Sequence, residues 1–122
     1  MRIAFVVQRY GLDVHGGAEF LCRAWAERLA VRHDVEVLTT CARDYLTWAD
    51  YYPPGDEQIN GVLVRRFPVD QPRDMAAFDA FSRQIFGKEH SLEQELEWMR
   101  RQGPYSSALL TELAARRDTI DR

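Results

Sequence analysis

Long apolar runs are missing from this sequence: the longest, Ile3 to Val7, has five residues. That is too short for a membrane span or for the apolar region of a signal peptide, so a cytoplasmic protein is expected, with contact at the inner face of a membrane left open. Cysteine is scarce too. Cys22 and Cys41 make no C-x-x-C pair, and no Cys or His stands at zinc-ligand spacing from either, so free thiols and no bound metal are expected. Lysine is nearly absent. Of the 16 cationic residues 15 are arginine, and they are interleaved with 19 acids to a net charge of -3. No basic stripe results, and a nucleic-acid partner is not expected.

What is present is a globular composition, 46% apolar over 122 residues, enough for one domain with a core. Ile3 to Val7 is rich in β-branched residues and predicts a strand covered on both faces, as in a parallel sheet. Gly11, Asp13, Gly16 and Gly17 mark a loop. From residue 18 to about 32, Ala18, Leu21, Cys22, Trp25 and Leu29 share one helix face. Glu19, Arg23 and Glu27 fall opposite, where they can pair across solvent. Residues 35–40, VEVLTT, predict a second strand, which completes a βαβ unit.

Residues 41–61 form a long connection with Tyr45, Trp48, Tyr51 and Tyr52, and long loops in compact domains are more often functional than not. Asn60-Gly61 is a turn that launches a third strand over 62–69. Three helical patterns follow: one with Met75, Phe78, Phe81 and Ile85 on one side; one from a capping box at Ser91 and Gln94, with Leu92, Leu96 and Met99 apolar; and one opened by Pro104, with Leu109, Leu110, Leu113 and Ala114. Trp25 and Trp98 lie on apolar helix faces and are expected in the core.

The stretch DVHGGAEF, residues 13–20, carries the functional question. Glycines ahead of a helix let a backbone approach an anion, and the helix start offers unpaired N-H groups and partial positive charge. A plain Gly-Gly turn is the other reading. Gly11 and Gly16 have Walker A spacing, but Gly17 and Ala18 stand where Lys and Ser/Thr are required, which excludes a P-loop. Ala18 also breaks the dinucleotide fingerprint G-x-G-x-x-G, and Thr39-Thr40 supplies no acid for a ribose, so NAD is not expected.

The segments RIAFVVQRYG, DVHGGAEFLCRAWAERLAVRHDVEVLTT and NGVLVRRFPV together resemble the amino-terminal half of the retaining, nucleotide-sugar-dependent glycosyltransferases of family four. The resemblance covers residues 1 to about 70 closely and the helices beyond loosely. It implies the GT-B fold: two Rossmann-like domains facing each other across a cleft. Residues 1–122 would be part of the amino-terminal, acceptor-side domain, a three-layer α/β unit with a short parallel sheet in the order 3-2-1. The carboxy-terminal domain, which in that family binds most of the donor and carries an E-x7-E motif, is absent from this sequence.

The resemblance further implies a nucleotide-sugar donor as substrate, a glycan or lipid-linked acceptor, no cofactor, and no transfer by this stretch alone. Gly16 and Gly17 match the family's loop that comes up to the donor diphosphate. Glu19 either contacts the acceptor or serves the helix dipole and pairs with Arg23. Arg9 and Tyr10 follow the first strand's carboxyl end, where ligands of open α/β sheets bind; Arg9 touches phosphate or acceptor, or is a solvated loop arginine. His15 either donates to a sugar or phosphate or is incidental. Tyr45, Trp48, Tyr51 and Tyr52 form a sugar-stacking wall or simply pin their loop. The rival reading is a non-catalytic, flavodoxin-like α/β binding module.

Overall fold

The computed structural model describes residues 1–119. Four strands and four helices occur among them: β1 (Arg2–Val6), α1 (Gly17–Leu29), β2 (Asp34–Thr40), β3 (Gly55–Ile59), β4 (Val62–Phe67), α2 (Met75–Ile85), α3 (Leu92–Gln102) and α4 (Ser107–Ala115). This is a small α/β protein built on one open, mixed sheet.

The sheet order is β1-β2-β4-β3, which corrects the expected short parallel sheet in the order 3-2-1. β1 and β4 both run parallel to β2, with Ile3 opposite Val35 and Val37 opposite Val64. The added strand, β3, runs antiparallel to β4 inside the stretch expected to be loop. Its sequence GDEQI is almost wholly exposed and has no apolar alternation, so it carried no strand signal. Its register comes from the turn: Asn60 and Gly61 both have positive φ, 49° and 83°, as a tight two-residue hairpin requires. Asp56 then stands directly opposite Arg65, and their side chains pair at 3.2 Å.

Alternation sorts the strands into two faces. One carries Val35, Val37, Val62 and Val64 with Ile3, Phe5 and Val7, and these pack with Ala26, Cys22 and Leu29 of α1 and with Tyr10. The other face meets α4 through a charged cluster: Arg116 pairs with Glu36 and Glu112, and Arg65 reaches Glu112 at 3.3 Å. β1 pairs with β2 alone, so its second edge has no strand beside it among the described residues.

α1 is rotated from the expected face. Glu19 and Ala26 are its buried residues, while Leu21 and Trp25 are 57% and 58% exposed. The reason is twofold: Glu19 is drawn inward by a buried arginine, and the small Ala26 lets the helix approach the sheet. Glu19 therefore does not pair with Arg23 across solvent. On α3, likewise, Leu92, Leu96 and Met99 are exposed, and the helix docks through Trp98, which meets Phe78 at 5.6 Å and Phe86 at 5.3 Å and donates to Ser82 Oγ. Its capping box at Ser91 and Gln94 is formed as expected. α4 starts later than expected, with Ser106 rather than Pro104 at its entrance and the Ser106 hydroxyl accepting from Leu109 N-H.

These placements separate two tryptophans. Trp25→Gln should change the free energy of unfolding by no more than about 0.5 kcal/mol, as for other surface substitutions. Trp48, 5% exposed, lies in a satellite cluster with Ala42 and Val69. Trp48→Ala should cost about 3–5 kcal/mol. Urea unfolding of the two variants side by side checks the pair.

Candidate anion site at the start of the first helix

The chain leaves β1 at Val6 and crosses the end of the sheet before entering α1. Thr40 fastens this crossing: its hydroxyl donates to Gln8 O at 2.6 Å and accepts from Ala42 N-H. Beyond it lies a cleft of about 480 Å³, lined by Val6, Val7, Gln8, Ala18, Glu19 and Leu109 among others. It sits at the carboxyl ends of parallel strands, where open α/β sheets bind ligands.

Arg9 and Glu19 meet in the wall of this crossing. Their side chains are only 7% and 10% exposed, with Arg9 Nη2 2.9 Å and Nε 3.0 Å from Glu19 Oε1. The guanidinium also donates from Nη2 to His15 O at 3.0 Å and from Nη1 to Arg43 O at 2.8 Å. One arginine thus ties the glycine loop, the first turn of α1 and the 41–54 segment together. Because it is buried and its charge is balanced by Glu19, Arg9 is not a solvated loop arginine.

The two glycines have different surroundings. A Cβ at Gly16 would overlap Glu19 Oε2 and come within 3.0 Å of Arg9 Nη2, so glycine here makes room for the ion pair. A Cβ at Gly17 would meet nothing within 4 Å, and Gly17 has no positive φ. Gly16 caps α1 without any side-chain hydrogen bond, and the first helical bond is Phe20 N-H to Gly16 O. The N-H groups of Gly17, Ala18 and Glu19 are thereby left without a cap, beside a cleft and at the positive end of the helix dipole.

Tyr10 lies away from this surface. It is 1% exposed in the core under α1, and burial pushes its phenol up to about 12. Its hydroxyl has no hydrogen-bond partner among the described residues. His15 is exposed and contributes its carbonyl to Arg9, while its ring does not line the cleft. Of the six expected site residues Glu19 alone lines the cleft; Arg9 and Gly16 pack against it, Gly17 opens α1, Tyr10 lies in the core and the His15 ring is exposed.

The 41–54 segment latches onto the glycine loop. The Tyr52 hydroxyl bonds to Asp13, its ring stacks 3.8 Å from the Arg66 guanidinium, and Arg43 both pairs with Asp13 and lies 3.8 Å over Tyr51. The Tyr52 hydroxyl holds the Asp13 carboxyl below its ordinary range. A Cβ at Gly11 would come within 2.5 Å of the Tyr52 hydroxyl, so this glycine is needed for the latch. Trp48 donates to Gln102 O at 2.9 Å. Trp48 and Tyr52 thus pin the segment, whereas Tyr45 and Tyr51 stay exposed. Thr40, Gln8 and Asp13, which shape the crossing, had no motif to mark them.

Among the described residues no three His, Cys, Asp or Glu side chains cluster to hold a metal, and no helix is long and apolar enough to cross a membrane. No protein-family model, curated protein or solved structure matches the chain.

Proposed function

We propose that this chain is the acceptor-side part of a retaining glycosyltransferase with a Rossmann-like amino-terminal domain, transferring a sugar from a nucleotide-sugar donor to an acceptor hydroxyl on a glycan or lipid-linked glycan. The observation that carries the reading is the uncapped start of α1, whose first-turn residues Ala18 and Glu19 line the cleft at the carboxyl ends of β1 and β2. Three consecutive N-H groups aimed along a helix axis suit the diphosphate of such a donor. In this scheme the amino-terminal domain contributes backbone donors. Electrostatic stabilisation of the leaving diphosphate, usually the largest catalytic contribution, falls to a partner domain across the cleft. A cytoplasmic location at the inner face of a membrane fits a lipid-linked acceptor.

One observation favours a non-catalytic α/β binding module instead. Arg9 and Glu19 neutralise each other, which leaves backbone amides as the donors at the loop. Activity distinguishes the two. The complete gene product, incubated with a panel of nucleotide sugars and glycan acceptors, should transfer a sugar with retention at the anomeric carbon, and Gly17→Val should reduce transfer at least about 100-fold, as misplacement near reacting groups does. Absence of transfer from every donor would favour the module.

A further inference from the structure

A cavity larger than the cleft beside α1 lies elsewhere in the fold. It holds about 750 Å³ between the exit of β4, the first turn of α2, the last turns of α3 and the 103–105 turn. It shares no lining residue with the cleft beside α1. We propose that this cavity binds a neutral polyhydroxylated ligand, one or two pyranose rings of a carbohydrate.

Asp70, Asp74 and Glu97 face Arg73, Arg100 and Arg101 around the cavity, three carboxylates against three guanidinium groups. A site with this balance offers no net attraction to an anion or a cation, yet it is dense in hydrogen-bonding groups.

Much of that set is already fixed in place, which pre-organises the remainder. Arg73 donates to Leu46 O and Gln102 O at 3.0 Å each and to Tyr45 O, with its guanidinium 5.3 Å from the Trp48 ring and 5.5 Å from that of Phe78. Asp70 Oδ1 accepts from both the N-H and the hydroxyl of Ser107, and Asp74 Oδ1 caps α2. Glu97 holds Arg100 at 3.1 Å and Arg101 at 2.9 Å, one nitrogen of each.

Offered to the cavity by its lining residues are the second oxygens of Asp70 and Asp74, the other nitrogens of Arg100 and Arg101, whose side chains are 56% and 47% exposed, the Gln71 amide and the Tyr105 hydroxyl. Acceptors and donors are thus mixed at close quarters. A hydroxyl both donates and accepts, so a ring of adjacent hydroxyls satisfies such a mixture where a carboxylate or phosphate would use only its donors. The Tyr105 ring, steadied by Arg100 at 5.5 Å, adds an aromatic face for the apolar side of a pyranose.

The test is a two-dimensional amide NMR titration of the full chain with methyl glucoside, methyl mannoside and methyl galactoside, and with glucuronate and glucosamine as charged comparisons. The expected result is saturable shifts at Arg73, Gly103 and Tyr105 with at least one neutral glycoside, weaker binding of both charged sugars, and about 2- to 10-fold weaker binding by Tyr105→Phe, the value of one hydrogen bond. Tyr105→Phe keeps the ring, and its unchanged melting temperature would confirm an intact fold. No saturable shift with any neutral glycoside, shifts confined to residues 16–19, or tighter binding of glucuronate would overturn the proposal. Because Gly17 to Glu19 report the other cleft, failure here and failure of the glycosyltransferase reading give different patterns.

Discussion

Arg9→Ala should lower the free energy of unfolding by about 3–5 kcal/mol, the range for removing one partner of a buried ion pair. The substitution leaves the Glu19 carboxylate uncompensated and strips His15 O and Arg43 O of their donor. Glu19→Ala should cost less, because Arg9 keeps both carbonyls as acceptors. Arg9→Met combined with Glu19→Leu should cost less than Arg9→Ala alone, since replacing both charges with apolar groups of similar volume removes the unpaired charge. Since small domains hold only about 5–15 kcal/mol in total, the single arginine variant is expected to sit near the threshold of folding. Urea unfolding of the four proteins checks the order, and equal losses for Arg9→Ala and Glu19→Ala would show that the two carbonyl contacts contribute nothing.

Alanine at Gly16 and alanine at Gly17 should act in opposite directions. At Gly16 the new Cβ overlaps Glu19 Oε2, and the carboxylate cannot swing away without leaving Arg9, so a loss of about 1–3 kcal/mol is expected, as for overpacking in a tight core. At Gly17 the Cβ enters open space in the first turn of a helix, and the reduced freedom of the unfolded chain should stabilise by about 0.4–1 kcal/mol. The cause at Gly16 can be isolated with a double-mutant cycle. In a Glu19→Ala background the Gly16→Ala penalty should fall, because its closest contact is gone and only the Arg9 Nη2 contact at 3.0 Å remains. An undiminished penalty would place the strain in the backbone instead.

The reach of the sequence follows from which forces leave a local trace. β1, β2 and β4 were legible because their apolar residues are contiguous or alternate, and the Asn60-Gly61 turn because its positive φ values demand those residue types. The Ser91 capping box was legible for the same local reason. β3 left no trace, since its five residues are polar and its order comes from pairing with β4. The rotation of α1 was hidden as well. Glu19, Arg23 and Glu27 look like a solvated stripe, and only the folded crossing brings Arg9, ten residues earlier, against Glu19. That one contact turns Trp25 outward and makes Gly16 a structural glycine.

The two glycines therefore have different structural surroundings. Gly16 packs against the ion pair, whereas a Cβ at Gly17 would meet nothing within 4 Å. Arg9 and Glu19 were candidates for ligand contact because they lie near the carboxyl end of β1. Their mutual burial ties the crossing after β1 to the first turn of α1.

The central claim, that the uncapped amides of Gly17, Ala18 and Glu19 receive the diphosphate of a nucleotide sugar, is tested most directly by amide NMR on the full chain with UDP-glucose and GDP-mannose. Wild type and Gly17→Val would be titrated in parallel. The account predicts saturable shifts at residues 17–19 with a nucleotide sugar, their loss in Gly17→Val, and an unchanged melting temperature in that variant. Wild-type amides that stay unmoved with both donors, or a Gly17→Val protein that binds as well as wild type, would contradict it.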